Sequence, residues 1–445
     1  MRDSLLLVLL VGGCLWTLKS PWIGGIMWTV VSLGSPHILF GYSAANWPVS
    51  MAVAGVTLAG LAYKKDRINP FFNGAVVMTA VLVAWMTVTL PFSFVPEYCY
   101  DPWDRTFKIT LMLIATIALT TDRKKLDVFI WANVVAIGYY GVKGGVFTIL
   151  TGGGGRVLGA GGFIAENNAL ALAEIVVVPL LRYLQLQVRN KWLSAAMIAA
   201  MVLIVFSALG SQSRGALIGM VAMMSFFWVK SRNKFIWGIA IVFIGVAVLV
   251  AMPDEYWQRM NTIKEYDTDD SSQGRINSWW TAFHIANDRI TGGGFRTNIQ
   301  WVYDMYAPNP RFLLVEHSIY FQMLGEFGWI GLFLFLSIGV WTWINASRLV
   351  SLGKSRPELA WAGHLGAMVQ VSMIGYGVTG AFLSLALFDL PYNIMAIAAL
   401  GLRFALAQAR ALDPLAPVPG WAQPRVGARA MPTPSTMNRT TGRGP

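Results

Sequence analysis

Apolar residues fill this chain in runs of helical length that recur almost from end to end, separated by short polar connections. The runs cover 4–35 (interrupted at Lys19-Ser20-Pro21), 48–63, 71–90, 107–120, 128–150, 164–183, 192–209, 216–229, 235–251, 319–344, 359–378 and 390–406. Stretches such as 236–252 and 330–344 are apolar on every side, so no alternation marks a strand with one lipid face and one lumen face. Inside a bilayer such a run closes its own backbone hydrogen bonds only as a helix. The pattern predicts an all-α, polytopic integral membrane protein of about twelve transmembrane helices, with 4–35 taken as one broken element.

Composition agrees: 56% of residues are hydrophobic, 13% are charged, and the mean hydropathy is +0.55. A water-soluble domain does not carry that surface. The formal charge of +12 would point to nucleic acid in a soluble protein, but here the basic residues sit in short connections and read as topology signals, with no nucleic-acid partner. Lys64-Lys65-Asp66-Arg67, Asp122-Arg123-Lys124-Lys125, 182–191, 230–234 and 348–356 alternate with acidic or nearly uncharged connections, which places the basic set in the cytoplasm. The outward set is then 91–105, 151–163, 210–215, 253–316 and 379–389. Cys14 and Cys99 are expected at different depths and unbridged. Val11-Gly12-Gly13-Cys14 resembles a lipoprotein processing site, but Asp3 beside Arg2 argues against that reading.

The long connection 253–316 exceeds an ordinary loop and should carry structure of its own. Within it, Ile276, Trp279, Trp280, Phe283, Ile285 and Ala286 recur at helical spacing and predict an amphipathic helix over 273–290, lying at the membrane interface. The chain therefore divides into N-terminal transmembrane helices (1–252), a periplasmic loop with the amphipathic helix (253–316), C-terminal transmembrane helices (317–406) and a disordered basic cytoplasmic tail (407–445).

Three outward features put cations where lipid would penalise them. Arg214 sits in the tight turn Gly210-Ser211-Gln212-Ser213-Arg214-Gly215, and an arginine at that level needs a polar cavity or an anion. Arg275, in Gly274-Arg275-Ile276-Asn277, opens the amphipathic helix, where side chain and first-turn amides can face one anion. His317, in Glu316-His317-Ser318, offers an imidazole where the long loop meets the next span. Each has a plainer reading: Arg214 snorkelling to lipid phosphates, Arg275 pairing with Asp267, Asp269 or Asp270, His317 capping its helix. A fourth feature is the glycine-rich 152–162 with Arg156, followed by Glu166-Asn167-Asn168. It lacks the spacing of a nucleotide loop and serves equally as a hairpin between spans. Asp267-Thr268-Asp269 is the one outward acid-x-acid triplet, set in an ordinary solvated run, and His37, His284 and His364 stand alone. No metal site and no cofactor are expected.

Taken in order, these pieces resemble the O-antigen ligase superfamily: Arg156 with Gly159 and Asn167-Asn168, Ser213-Arg214-Gly215, Gly274-Arg275-Ile276 with Trp279, and His317-Ser318-Ile319-Tyr320 running into Leu324-Gly325-Glu326-Phe327-Gly328-Trp329-Ile330-Gly331. The opening Met1-Arg2-Asp3 and 166–172 look like the exosortase-associated O-glycosylation ligase branch. Ser318 departs from the asparagine usual after the histidine.

The resemblance implies a multi-pass protein of the bacterial inner membrane with its active site facing the periplasm. It also implies an undecaprenyl-diphosphate-linked glycan donor and a hydroxyl of lipid A-core as acceptor, membrane lipids being the other partners. On that reading Arg214 and Arg275 hold the leaving diphosphate by bidentate forks, without metal. His317 is the general base, Arg156 a further substrate-binding residue, and single displacement gives inversion. An O-antigen polymerase or protein O-oligosaccharyltransferase would use the same residues. A lipid-linked glycan flippase would instead need polar residues deep in the spans and on both faces.

Overall fold

The computed structural model describes residues 2–41, 43–230, 234–235, 238 and 270–413, and every regular element among them is a helix. In chain order these are α1 (Arg2–Lys19), α2 (Trp22–Gly34), α3 (Pro36–Phe40), α4 (Val49–Tyr63), α5 (Gly74–Thr89), α6 (Pro96–Leu119), α7 (Arg123–Leu150), α8 (Asn167–Gln187), α9 (Lys191–Gly210), α10 (Arg214–Lys230), α11 (Asp270–Asp288), α12 (Gln300–Tyr306), α13 (Ile319–Ser355), α14 (Ala360–Gly380) and α15 (Asp389–Leu412).

Six helical stretches among the described residues are long and apolar enough to cross a membrane: Gly74–Phe92, Arg123–Leu150, Asn167–Gln187, Lys191–Gly210, Ile319–Ser355 and Asp389–Leu412. Three shorter apolar helices, Trp22–Gly34, Val49–Tyr63 and Arg214–Val229, accompany them. Apart from residues 235 and 238, the expected span 235–251 lies outside the described residues, as does the triplet Asp267-Thr268-Asp269. α8 is the central helix, with 83% of its apolar window enclosed, whereas 33% of α9's is. Large apolar side chains such as Trp192, Val202, Phe333 and Val340 lie exposed along the outer helices, which suits lipid as the solvent.

Without a hydrophobic drive between helices, small residues and polar clasps hold them together. A β-carbon on Gly145 of α7 would fall 2.0 Å from the Leu203 carbonyl oxygen of α9, so only glycine admits that approach. Asn133 of α7 accepts from Asn393 of α15 (2.9 Å), Asn345 of α13 donates to Asn73 beside α5 (2.9 Å), and Ser372 of α14 donates to the Val176 carbonyl of α8 (2.8 Å).

The structure alters several expected boundaries. Residues 4–35 are a hairpin of two helices and not one broken element: the chain turns at Ser20-Pro21, and the Thr17 hydroxyl reaches back to Met27 Sδ at 3.7 Å. Proline at that point removes the amide that would continue the helix. α6 begins at Pro96, a proline well suited to a first turn, so most of the expected 91–105 connection is helical. α15 runs to Leu412, beyond the 406 boundary of the expected tail. Trp361 Nε1 donates to Gln408 (3.0 Å) and Arg356 to the Ala409 carbonyl (3.2 Å), so its last turns have tertiary partners. The amphipathic helix is α11, starting three residues earlier than expected, and it packs on α13.

The two ends of the bundle differ chemically. One gathers the basic connections, where Lys125 lies 3.4 Å from Asp66 and 3.7 Å from Asp122, and Arg123 lies over the Trp361 ring. The other gathers the glycine-rich loop, the 211–213 turn, α11, and the entries to α13 and α15.

Candidate functional site

His317 stands immediately before α13 with φ +44°, a left-handed conformation that costs a non-glycine residue about 1–3 kcal/mol. α11 enforces it. Trp279 Nε1 donates to the Glu316 carbonyl (2.7 Å) while its indole stacks on Phe321, 4.9 Å between centroids and 7° from parallel. The Ser278 hydroxyl donates to the Val315 carbonyl (3.3 Å). Asn277 accepts from the Asn309 amide (2.8 Å) and donates to the carbonyls of Asn309 (2.9 Å) and Phe312 (3.1 Å). The Glu316 carboxyl, buried, accepts from Thr297 at 2.6 Å. With 309–316 held against α11 and 319 onward committed to α13, the chain turns at His317.

Electrostatically, the imidazole is held below its ordinary pKa, first by burial and then by the Arg275 guanidinium, against an opposing pull from Glu166. The combination favours the neutral ring at neutral pH, the form that can accept a proton. The charges of Arg275 and of Glu166, the latter quoted from the sequence only as part of a motif, thus both act on the imidazole. The signal for Glu166 was its place directly before Asn167-Asn168.

Arg214 opens α10. The turn before it bends through Gln212 at φ +56°, and the Ser213 hydroxyl accepts from the Ala216 amide (3.2 Å) as a helix cap. Asn167 Nδ2 donates to the Ser211 carbonyl (2.7 Å), and Gln212 donates to the Gly153 carbonyl at 3.4 Å. Thus the residue after Glu166 clasps the turn that presents Arg214, and the glycine-rich loop lies against it. Arg156 is exposed on that loop. No group of three or more His, Cys, Asp or Glu side chains suited to a metal ion occurs among the described residues.

Residues 199–336 match a family described as O-antigen ligase. This segment is therefore an O-antigen ligase-type domain within the chain. Arg214, Arg275 and His317 all lie within the matched O-antigen ligase segment, whereas Arg156 and Glu166 fall in residues 1–189, which match a family of unknown function (DUF5935). No curated protein matches. A chain of the solved structure reported as "Structural coordination of polymerization and crosslinking by a peptidoglycan synthase complex" is similar at 15% identity and a TM-score of 0.38, over 77% of this chain and 100% of that one. At that distance the likeness carries no argument about this O-antigen ligase relative.

Proposed function

We propose that this membrane protein is a metal-independent, inverting glycosyltransferase. It moves a glycan from undecaprenyl diphosphate to a hydroxyl of lipid A-core, on the periplasmic side of the inner membrane. The observation that supports this most is the lowering of the His317 pKa by burial and by the Arg275 charge, inside the segment that matches the O-antigen ligase family. About twelve crossings, with basic connections in the cytoplasm, belong to the same reading.

Breaking the bond between sugar and diphosphate builds negative charge on the leaving group. Guanidinium groups neutralise it through two parallel N–H donors and never lose their proton. Arg275 and Arg214 are assigned that task. The acceptor hydroxyl is a poor nucleophile, and the neutral imidazole of His317 takes its proton as the new bond to the anomeric carbon forms. Attack opposite the leaving diphosphate inverts that carbon.

Reconstitution in liposomes with purified polyprenyl diphosphate glycan and lipid A-core tests this. His317→Ala should lower the transfer rate by roughly a hundredfold or more in folded protein. Arg214→Ala and Arg275→Ala should each weaken transfer, and a chelator should change nothing. Full activity in His317→Ala removes the base; loss of transfer on chelation replaces the arginines with a metal.

A further inference from the structure

A hollow of about 300 Å³ opens at the end of the bundle that carries His317, between α6, α13 and the loops before α12 and α15. That volume is at the small end of ligand pockets. Asp101, Arg105 and Arg296 form an exposed, charged rim, and Gln322 and Glu326 of α13 lie buried at the floor, Glu326 only 6% exposed.

Two buried polar atoms of residues lining this hollow have no hydrogen-bond partner among the described residues: Glu326 Oε2 and the Ser384 hydroxyl. Glu326 Oε1 has only a long contact, 3.4 Å, from Gln322 Nε2. Gln322 is fixed in orientation because its carbonyl accepts from the Ala386 amide (3.1 Å). Buried polar atoms are almost always satisfied, so unfulfilled ones converging on a cavity describe the complement of a ligand.

The chemistry of the lining narrows that ligand. Carboxyls accept, guanidinium and amide groups donate, and Ser384 does either. Phe163 and Phe295 supply apolar faces, with Arg105 lying 3.8 Å over the Phe163 ring. A diphosphate would meet the carboxyls of Asp101 and Glu326, and a lipid tail would strand the polar floor. A polyhydroxylated ring, with hydroxyls at its edge and C–H faces, fits both aspects. The floor is linked to the candidate site through α13: a β-carbon on Gly325, next to Glu326, would lie 3.6 Å from Oε1 of Glu316, the residue before His317.

We propose that this cavity is a sugar subsite, which binds a ring of the acceptor oligosaccharide and so aims its hydroxyl at His317. The assignment of the bound sugar to the acceptor rests on the transferase reading above; the sugar-binding cavity itself does not. The test uses the full-length protein in detergent, with lipid-free core oligosaccharide as the binding probe.

Arg105→Gln or Ser384→Ala should weaken binding of the probe about three- to tenfold per lost hydrogen bond. In transfer assays the same two variants should raise KM for acceptor by a similar factor and leave KM for donor in place. Ser384→Ala carries a further signature. Removing an unsatisfied buried hydroxyl should leave the thermal unfolding midpoint equal or higher while acceptor binding falls, whereas a merely structural role would lower both. Undiminished probe binding in Arg105→Gln and Ser384→Ala, or a rise in donor KM alone, overturns the proposal. Probe binding that depends on these residues in a protein that transfers nothing would retire the transferase and keep the sugar site.

Discussion

His317 combines a left-handed backbone, partial burial and a cationic neighbour, and each bears on its proton. If His317 is the base proposed above, it acts as the neutral ring, so transfer should rise as pH climbs through the imidazole's lowered pKa and persist above it. Arg275 contributes to that lowering and Glu166 opposes it. In Arg275→Gln the acid limb of kcat/KM should therefore move to higher pH, towards the ordinary imidazole value. In Glu166→Gln it should move to lower pH. The limb's position separates this effect from the drop in amplitude that loss of a diphosphate-binding arginine also causes. If both variants leave the limb where it is, some other group titrates. The residue types were legible in the sequence because cations at membrane level are costly. The backbone state of His317 was not, because it follows from Asn277, Ser278 and Trp279 clamping a segment more than thirty positions away.

At the scale of elements, periodicity located the helices but not their breaks. α13 looks continuous in its apolar pattern, yet Gly328 interrupts it at φ +68°, ψ −172°, a region closed to residues with a β-carbon. The kink frees carbonyls that a neighbouring loop then satisfies: Gly293 donates to Gly325 (2.8 Å), Gly294 to Glu326 (2.8 Å), and Trp85 Nε1 to Phe327 (3.0 Å). A β-carbon at 328 would also approach the Ile290 carbonyl oxygen to 2.5 Å. Gly328→Ala should therefore destabilise the protein by at least about 1–3 kcal/mol from backbone strain alone, read as a lower thermal midpoint in detergent. An unchanged midpoint would mean that the interruption is not built into the fold. Hydropathy could not have announced it, since the partners of these carbonyls come from residues 290–294 and from α5.

For the whole molecule, the segregation of basic connections at one end and of His317, Arg275 and the turn before Arg214 at the other is the arrangement a one-sided transferase requires. The helices α1 and α2 fold back on each other as a hairpin, where a single broken element would run on. The hairpin returns the amino terminus to the end opposite the basic connections, where Asp3 accepts from the Ser43 amide (3.0 Å) and hydroxyl (2.8 Å). With basic connections in the cytoplasm, residue 4 should then face the periplasm. In a background lacking Cys14 and Cys99, a membrane-impermeant thiol reagent applied to spheroplasts should label Ser4→Cys and Thr151→Cys. It should reach Lys65→Cys only after permeabilisation. If Ser4→Cys behaves like Lys65→Cys, the first segment crosses once and the hairpin is wrong. If Thr151→Cys is shielded and Lys65→Cys is open, the bundle is inverted. A periplasmic lipid-linked donor could then not reach His317, and the proposed reaction would fail on geometry before any rate was measured.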